Sequence, residues 1–274
     1  MIGGKVMPIV IVRGAGDIAS GIIHRLYMSG FNVIALEIEK PLSIRRTVSF
    51  SEAIYDGETV VEDVKAIYAD NIEIAQTILR DGNVPVLIDE KALCIDQIKP
   101  VAVVDAILAK RNMGTNKYMA PITIGVGPGF CAGDDVDYVI ETQRGHYLGR
   151  VIYNGCAALN TGIPGIIMGY GKERVIKSPQ DGLIKHVRKI GDLVNEGDVV
   201  CYVGNEKVKA SINGVVRGLI RENLFVSKGL KIGDIDPRAE VDYIYTISDK
   251  ARAVAGGVLE ALLHGLSKGD KNGY

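Results

Sequence analysis

The chain of 274 residues has no tryptophan, and aromatic side chains make up only 6% of it. Its formal net charge is −1, so basic residues are not in excess. Proteins that bind nucleic acid usually carry a basic surface, and many stack aromatic rings on bases. The composition therefore argues against a nucleic-acid partner and against attraction to an anionic membrane.

Cysteines and long apolar runs are also scarce. The four cysteines are far apart and form no CxxC pair, which argues against a zinc site. No apolar run approaches the ~20 residues that a membrane helix needs. The short run Val6–Val12 leads directly into a glycine turn, without a signal-peptide cleavage site. We therefore expect a cytoplasmic protein with reduced thiols and no bound metal.

The clearest motif is IVIVRGAGDIASGI, which begins at Ile9. An apolar, β-branched run ends at Gly14 and Gly16, and apolar residues at helical spacing follow. The next apolar run ends at Glu37, where a Rossmann unit carries the acidic residue that binds a ribose diol. The pattern predicts a strand–turn–helix site in which Gly14, Gly16 and Glu37 contact a ligand.

Asp17 departs from the dinucleotide pattern, because its carboxylate would compete with a phosphate for the positive end of the helix. Asp17 either caps the helix or holds a cationic group of the ligand. Arg45 and Arg46 follow a proline-bearing loop, and guanidinium groups suit phosphate or carboxylate. We expect at least one arginine to reach the ligand, and the alternative is a pair of solvated surface side chains.

The most polar stretch is GVGPGFCAGDDVDYVIETQRGHYLG, residues 125–149. It contains Cys131, a candidate thiolate nucleophile, and His146, a candidate acid–base group. Its three aspartates fit no calcium loop and are typical of turns. A buried cysteine and a surface histidine are the ordinary alternatives. The catalytic residues therefore stay unknown, with Cys131, Arg144 and His146 as candidates.

The chain resembles the YqeB family, which is found with selenium-dependent molybdenum hydroxylases. The resemblance is clearest in the stretch RGAGDIASGIIHRLYMSGFNVIALEIEKPLSIRRTVSFSEAIYDG. The stretches GDIDPR and SDKARAVAGGVLEALL extend this resemblance to nearly the whole chain, and Arg144 and His146 lie in its RGH motif. A more distant similarity is to the Rossmann domain of the XdhC family.

The resemblance implies an accessory protein in the maturation of such a hydroxylase, with the hydroxylase apoenzyme as its partner. It also implies that the ligand is a nucleotide-bearing cofactor such as molybdopterin dinucleotide. The alternative function is that of an NAD(P)-dependent oxidoreductase. The sequence does not decide whether the protein is an enzyme, and it leaves a homo-oligomer open.

The distribution of apolar runs predicts an α/β fold in three parts. Strand-length runs alternate with helical segments in residues 1–170, which predicts a Rossmann-like parallel sheet. Residues 171–238 have short runs between glycine turns and are similar to the barrel-sandwich fold of biotinyl and lipoyl carriers. Lys207 and Lys209 lie in no MKM or DKA motif there, so we expect no attached cofactor.

Residues 239–274 form a C-terminal segment that is predicted to contain a helix over 248–265. Apolar side chains recur in it at helical spacing after an N-capping Ser248. Gly256 and Gly257 each disfavour a helix by roughly 1 kcal/mol relative to alanine. Such a pair indicates tight packing, with the helix returning to the first domain.

Overall fold

The computed structural model describes residues 8–271 of the chain, which divide into two compact units. The first unit comprises residues 8–41, 50–160 and 247–271, and the second comprises Leu42–Ser49 and Thr161–Thr246. No helix between residues 8 and 271 is long and apolar enough to cross a membrane.

The first unit is built on a nine-stranded sheet with the order β10-β9-β7-β6-β1-β2-β5-β4-β3. A separate two-stranded sheet pairs β8 with β11. The strands are β1 (Ile9–Arg13), β2 (Asn32–Glu37), β3 (Glu58–Val61), β4 (Val64–Ala69), β5 (Val84–Ile88), β6 (Ala102–Asp105), β7 (Ile122–Val126), β8 (Cys131–Ala132), β9 (Tyr138–Ile140), β10 (Val151–Ile152) and β11 (Gly155–Cys156).

The large sheet is mixed. Its central strands are parallel, whereas β3 and β10 pair antiparallel with β4 and β9 at the two edges. Only Glu62 and Asp63 separate β3 from β4, and so short a connection permits only an antiparallel pair. In addition, β4 lies outside β5, so the strands do not follow the Rossmann order. The prediction of a Rossmann-like parallel sheet is therefore wrong.

Five α-helices occur among residues 8–271, all of them in the first unit. They are α1 (Asp17–Met28), α2 (Ala53–Asp56), α3 (Ile72–Arg80), α4 (Ile95–Ile98) and α5 (Asp249–Lys271). The core of the unit forms because β1 and β2 are buried on both faces and α3 contributes an apolar face.

Helix α5 packs on α1 through small residues. Ser248 accepts a hydrogen bond from the Ala251 N–H (3.2 Å), which confirms the predicted N-cap. A Cβ added to Gly21 of α1 would lie 2.8 Å from the Ala251 Cβ, so the two helices touch at close range. A Cβ on Gly257 would overlap the carbonyl oxygen of Gly149, whereas a Cβ on Gly256 would meet nothing within 4 Å. The tight packing predicted for the glycine pair thus depends on Gly257 alone.

The second unit consists of two four-stranded antiparallel sheets, in the orders β12-β19-β17-β14 and β16-β15-β13-β18, which share one apolar core. Their strands are β12 (Val175–Lys177), β13 (Gly182–His186), β14 (Leu193–Val194), β15 (Val199–Val203), β16 (Glu206–Lys209), β17 (Gly214–Leu219), β18 (Phe225–Val226) and β19 (Lys231–Asp236).

Residues 42–49, which the sequence places with the first domain, belong to this second unit, and the Leu219 N–H donates to the Ile44 carbonyl (2.9 Å). The predicted fold class, a Rossmann-like domain followed by a barrel-sandwich module, is therefore corrected. Residues 8–271 form one large mixed sheet, two four-stranded antiparallel sheets and the two-stranded antiparallel sheet of β8 and β11. Lys207 and Lys209 are exposed on β16.

We predict opposite effects for the two neighbouring glycines of α5. Gly257→Ala should lower the free energy of unfolding by about 1–3 kcal/mol, because the added methyl overpacks a backbone contact. Gly256→Ala should raise it by up to about 1 kcal/mol, because alanine favours the helix and the space is open. Urea unfolding of both variants measures this difference, and equal effects at the two positions would contradict the packing described.

Candidate functional site

A cavity of about 560 Å³ lies in the first unit, beside the carboxyl ends of β1, β2, β5 and β6. Ligands of open α/β sheets commonly bind at this edge. The cavity is lined by charged side chains, apolar side chains and glycines, namely Arg13, Gly14, Leu36, Glu37, Ile38, Asp89, Glu90, Lys91, Ile107, Ala109, Met113 and Gly114.

The glycine turn after β1 forms one edge of the cavity. Gly14 has a φ of +96°, which side-chain-bearing residues rarely adopt. A Cβ at this position would also lie 3.0 Å from the Ala106 carbonyl oxygen. The Gly14 N–H donates to the Leu36 carbonyl at 2.7 Å, which holds the turn against the end of β2. Only glycine therefore fits without strain.

The Glu37 side chain lies beside this turn and binds its backbone. Its Oε2 accepts the Ala15 N–H at 2.9 Å, and its Oε1 accepts the Ile38 N–H at 2.9 Å. Burial raises the pKa of the Glu37 carboxyl, and the two N–H bonds partly oppose that rise. A turn N–H that a phosphate would use is thus already bound by a carboxylate of the protein.

The opposite wall is the segment 107–116, called the wall loop below. Thr115 receives a hydrogen bond from Arg13, and its own hydroxyl donates to Asp105 at 2.6 Å. Arg13 also donates to the Glu90 carbonyl at 2.9 Å. All three side chains of this network are buried. Because Arg13 and Asp105 end β1 and β6, the network fastens the wall loop to the sheet.

Asp89 directly follows β5 and orders the turn after the strand. Its carboxylate oxygens accept the N–H groups of Leu93 (3.0 Å) and Cys94 (2.8 Å). Burial and the neighbouring Asp89 raise the pKa of the Cys94 thiol to about 12. Cys94 is therefore protonated and unreactive at neutral pH.

Gly16 and Asp17 do not line the cavity. Gly16 is the N-cap residue of α1, and Asp17 lies in the first turn without capping it. Burial lowers the pKa of Lys250 in α5, and Arg144 lowers it further, whereas Asp17 and Glu141 act in the opposite direction. Asp17 therefore lies near a cation of the protein itself. The sequence gives no signal for Lys250, because its partners come from distant segments.

Arg45 and Arg46 lie in the second unit. Arg45 donates to the carbonyls of Tyr243 (3.0 Å) and Thr246 (3.1 Å), and Arg46 donates to the Leu219 carbonyl (2.8 Å). These bonds tie residues 42–49 to the rest of that unit. Of the six residues expected to bind a ligand, the cavity brings together Gly14 and Glu37.

The three catalytic candidates are not brought together as a reactive group. Cys131 forms a disulfide with Cys156, with a Cα–Cα distance of 4.0 Å, so the expectation of reduced thiols is wrong for this pair. Arg144 forms an exposed ion pair with Asp249 (2.8 Å). His146 is exposed and packs edge-on against Tyr147.

The aspartates near Cys131 have structural roles. Asp135 accepts the Cys131 N–H (2.8 Å), and Asp137 accepts both the N–H and the hydroxyl of Thr123 (2.8 Å each). Among the residues that the structure describes, no group of three or more His, Cys, Asp or Glu side chains could hold a metal ion.

Comparison with known proteins gives one close sequence relative. No family model matches the chain. The chain is 53% identical over 263 residues to the uncharacterized protein YqeB of Escherichia coli, an alignment that covers 96% of this chain and 49% of the relative. The similarity supports the resemblance to the YqeB family. The chain spans about half the length of this curated relative.

Solved structures give only weak matches. The chain has a TM-score of 0.28 to the ectoine utilization protein EutE of Ruegeria pomeroyi, at 9% identity, and of 0.28 to an aspartoacylase family protein of Mesorhizobium loti, at 12% identity. It has a TM-score of 0.25 to a succinylglutamate desuccinylase of a Silicibacter species, at 10% identity. The first two alignments cover 84% of this chain and 85% of the other, and the third covers 85% of each. Scores this low carry no inference about shared chemistry.

The predicted function is corrected at this point. The sequence relative is described as uncharacterized, and the three structural matches are described as an ectoine utilization protein, an aspartoacylase family protein and a succinylglutamate desuccinylase. None of these descriptions mentions a molybdenum hydroxylase or selenium. The predicted maturation role is therefore withdrawn, because none of these proteins supports it. The alternative of an NAD(P)-dependent oxidoreductase is withdrawn as well, because the strands do not follow the Rossmann order and a carboxylate of the protein occupies the turn N–H.

Thr115→Val tests the network behind the wall loop. We expect the free energy of unfolding to fall by about 1–3 kcal/mol, because two buried charged groups each lose a hydrogen bond. Thr77→Val, at an exposed helix position, is the matched control and should change it by less than about 0.5 kcal/mol. Equal effects in urea unfolding would show that the network does not hold the loop.

Glu37→Gln tests the burial of the carboxylate through the pH dependence of stability. The folded pKa of Glu37 exceeds its ordinary value of 4.5, so its contribution is present below that value and is lost as pH rises through the folded pKa. The stability of the wild type relative to Glu37→Gln should therefore fall as pH rises above the ordinary Glu37 pKa of 4.5. A difference that rises with pH, measured by urea unfolding, would contradict this direction.

Proposed function

We propose that the first unit binds a small molecule that is uncharged or cationic and that carries hydroxyl or amino groups. The carboxylate of Glu37 carries this proposal, because it borders the cavity and occupies the Ala15 N–H of the glycine turn. Each carboxylate oxygen can accept more than one hydrogen bond. Glu37 can therefore keep both backbone bonds and accept further ones from a ligand.

The charges around the cavity favour such a ligand over an anion. Glu37, Asp89 and Glu90 contribute carboxylates to the lining, and Arg13 and Lys91 contribute cations. Arg13 is buried, and its charge is balanced by the buried Asp105 carboxylate at 3.6 Å. Among the lining residues, the exposed Lys91 is therefore the cation that remains to balance the charges of three carboxylates. A phosphate or a second carboxylate would meet net repulsion here.

The remaining lining suits an apolar body on the ligand. Ile38, Ile107 and Met113 line the cavity and are exposed by 38%, 39% and 42%. Small-molecule sites typically combine such apolar surfaces with a few polar groups that fix orientation. Covering these side chains would add hydrophobic stabilisation to the hydrogen bonds at Glu37.

Matched pairs of probes with and without a phosphate group test the proposal. Adenosine is compared with AMP, and glucosamine with glucosamine 6-phosphate, by calorimetry on the full chain. We expect at least one unphosphorylated probe to bind, and to bind about tenfold or more tightly than its phosphate ester. Tighter binding of the esters, or no binding by any probe, would contradict the proposal.

Two variants locate the binding. Glu37→Gln should weaken binding of the unphosphorylated probe by about 1–3 kcal/mol, as expected for a lost charged hydrogen bond. Glu39→Gln removes an exposed carboxylate that does not line the cavity, and it should leave binding unchanged. If the two variants weaken binding equally, the ligand does not bind at Glu37.

A further inference from the structure

We infer that Cys131 and Cys156 form a reversible thiol–disulfide site that controls the wall loop of the cavity. Cys156 is exposed and Cys131 is partly exposed, so an external thiol can reach the bond. Exposed disulfides are the ones most readily exchanged. Cys94 and Cys201 are buried, and burial raises the pKa of each thiol to about 12. The chemistry is therefore confined to one pair.

The disulfide holds a segment with few other contacts. Strand β11 pairs with β8 through only two residue pairs, Gly155 with Ala132 and Cys156 with Cys131, and both β11 residues are exposed. The next anchor along the chain is Ala157, which is buried beside Phe130 and Val136. Tyr153, on the other side, is held by Glu260 and by ring contacts with Tyr138 and His264. Opening the bond should therefore release residues 154–156 without unfolding the unit.

The other end of the disulfide is linked to the wall loop. Cys131 directly follows the turn 127–130, in which Gly127 and Gly129 have φ values of +82° and +105°. A Cβ on Gly129 would lie 2.6 Å from the Arg111 Cα, and one on Gly127 would lie 3.5 Å from the Leu108 side chain. The turn is thus packed against the wall loop, and its last residue, Phe130, is bonded directly to Cys131 of the disulfide.

The exchange is a two-electron reaction with an external dithiol as reductant. One thiolate of the dithiol attacks the Cys156 Sγ, the bond to Cys131 breaks, and Cys131 leaves as a thiolate that takes up a proton. The second thiolate of the dithiol then attacks the mixed disulfide and releases the Cys156 thiol. The dithiol ends as a cyclic disulfide, and a small-molecule disulfide such as glutathione disulfide reverses the reaction.

Alkylation of the native full chain followed by intact mass measurement tests the exchange. We expect no maleimide adduct before reduction and two after dithiothreitol, at Cys131 and Cys156, with reversal by glutathione disulfide. Labelling before reduction would show that no disulfide forms. A need for denaturant, or simultaneous labelling of Cys94 and Cys201, would show that the site opens only on unfolding.

Hydrogen exchange of the same samples tests the control of the wall loop and needs no ligand, so its result is independent of the proposed function. Reduction should speed exchange about tenfold in residues 154–156 and in residues 107–116, with β1 and β6 unchanged. Cys156→Ser should exchange as the reduced protein does in both redox states, and Cys201→Ala should keep the wild-type response. An unchanged wall loop would overturn the inference.

Discussion

The hydrogen bond from the Ala15 N–H to the Glu37 carboxylate is the interaction on which the account of the site depends (2.9 Å). It joins the turn after β1 to the end of β2 and sets the charge of the cavity between them. A glycine turn at a helix N-terminus is ordinarily an anion site. Here the protein supplies the anion itself, so the space that remains suits hydrogen-bond donors.

Two further sets of contacts hold the first unit together, one at the cavity and one away from it. The buried network of Arg13, Asp105 and Thr115 ties the wall loop to two parallel strands. A buried ion pair adds little stability by itself, but removal of one partner is costly, so such a network fixes one arrangement of the groups it joins. Close contact between α1 and α5, at Gly21 and Ala251, covers the sheet elsewhere in the same unit.

Sequence reasoning recovers the local elements of the first unit. The apolar runs correctly predict β1 and β2, because buried parallel strands have nearly continuous apolar sequences. The serine cap and the apolar spacing likewise predict the helix α5. The predicted helix ends at residue 265, whereas α5 extends to Lys271. The glycine turn and Glu37 are also identified as neighbours.

The features that cannot be predicted from the sequence depend on contacts between distant segments. The pairing of β3 with β4 and the position of β4 outside β5 are set by sheet assembly, which apolar periodicity does not report. The bond from Glu37 to Ala15 depends on a side-chain direction. The pairing of Cys131 with Cys156 spans 25 residues and has no spacing signature. Charged residues at the ends of apolar strands, Arg13 and Asp105, are the one signal that points to the buried network.

An NMR titration of the Glu37 side-chain carboxyl and the Ala15 amide tests the central claim most directly. The account predicts that the Glu37 pKa lies above its ordinary value of 4.5, and that the Ala15 amide shift follows the same titration curve. An Ala15 amide shift that does not follow the Glu37 titration would contradict the claim that this carboxylate occupies the turn.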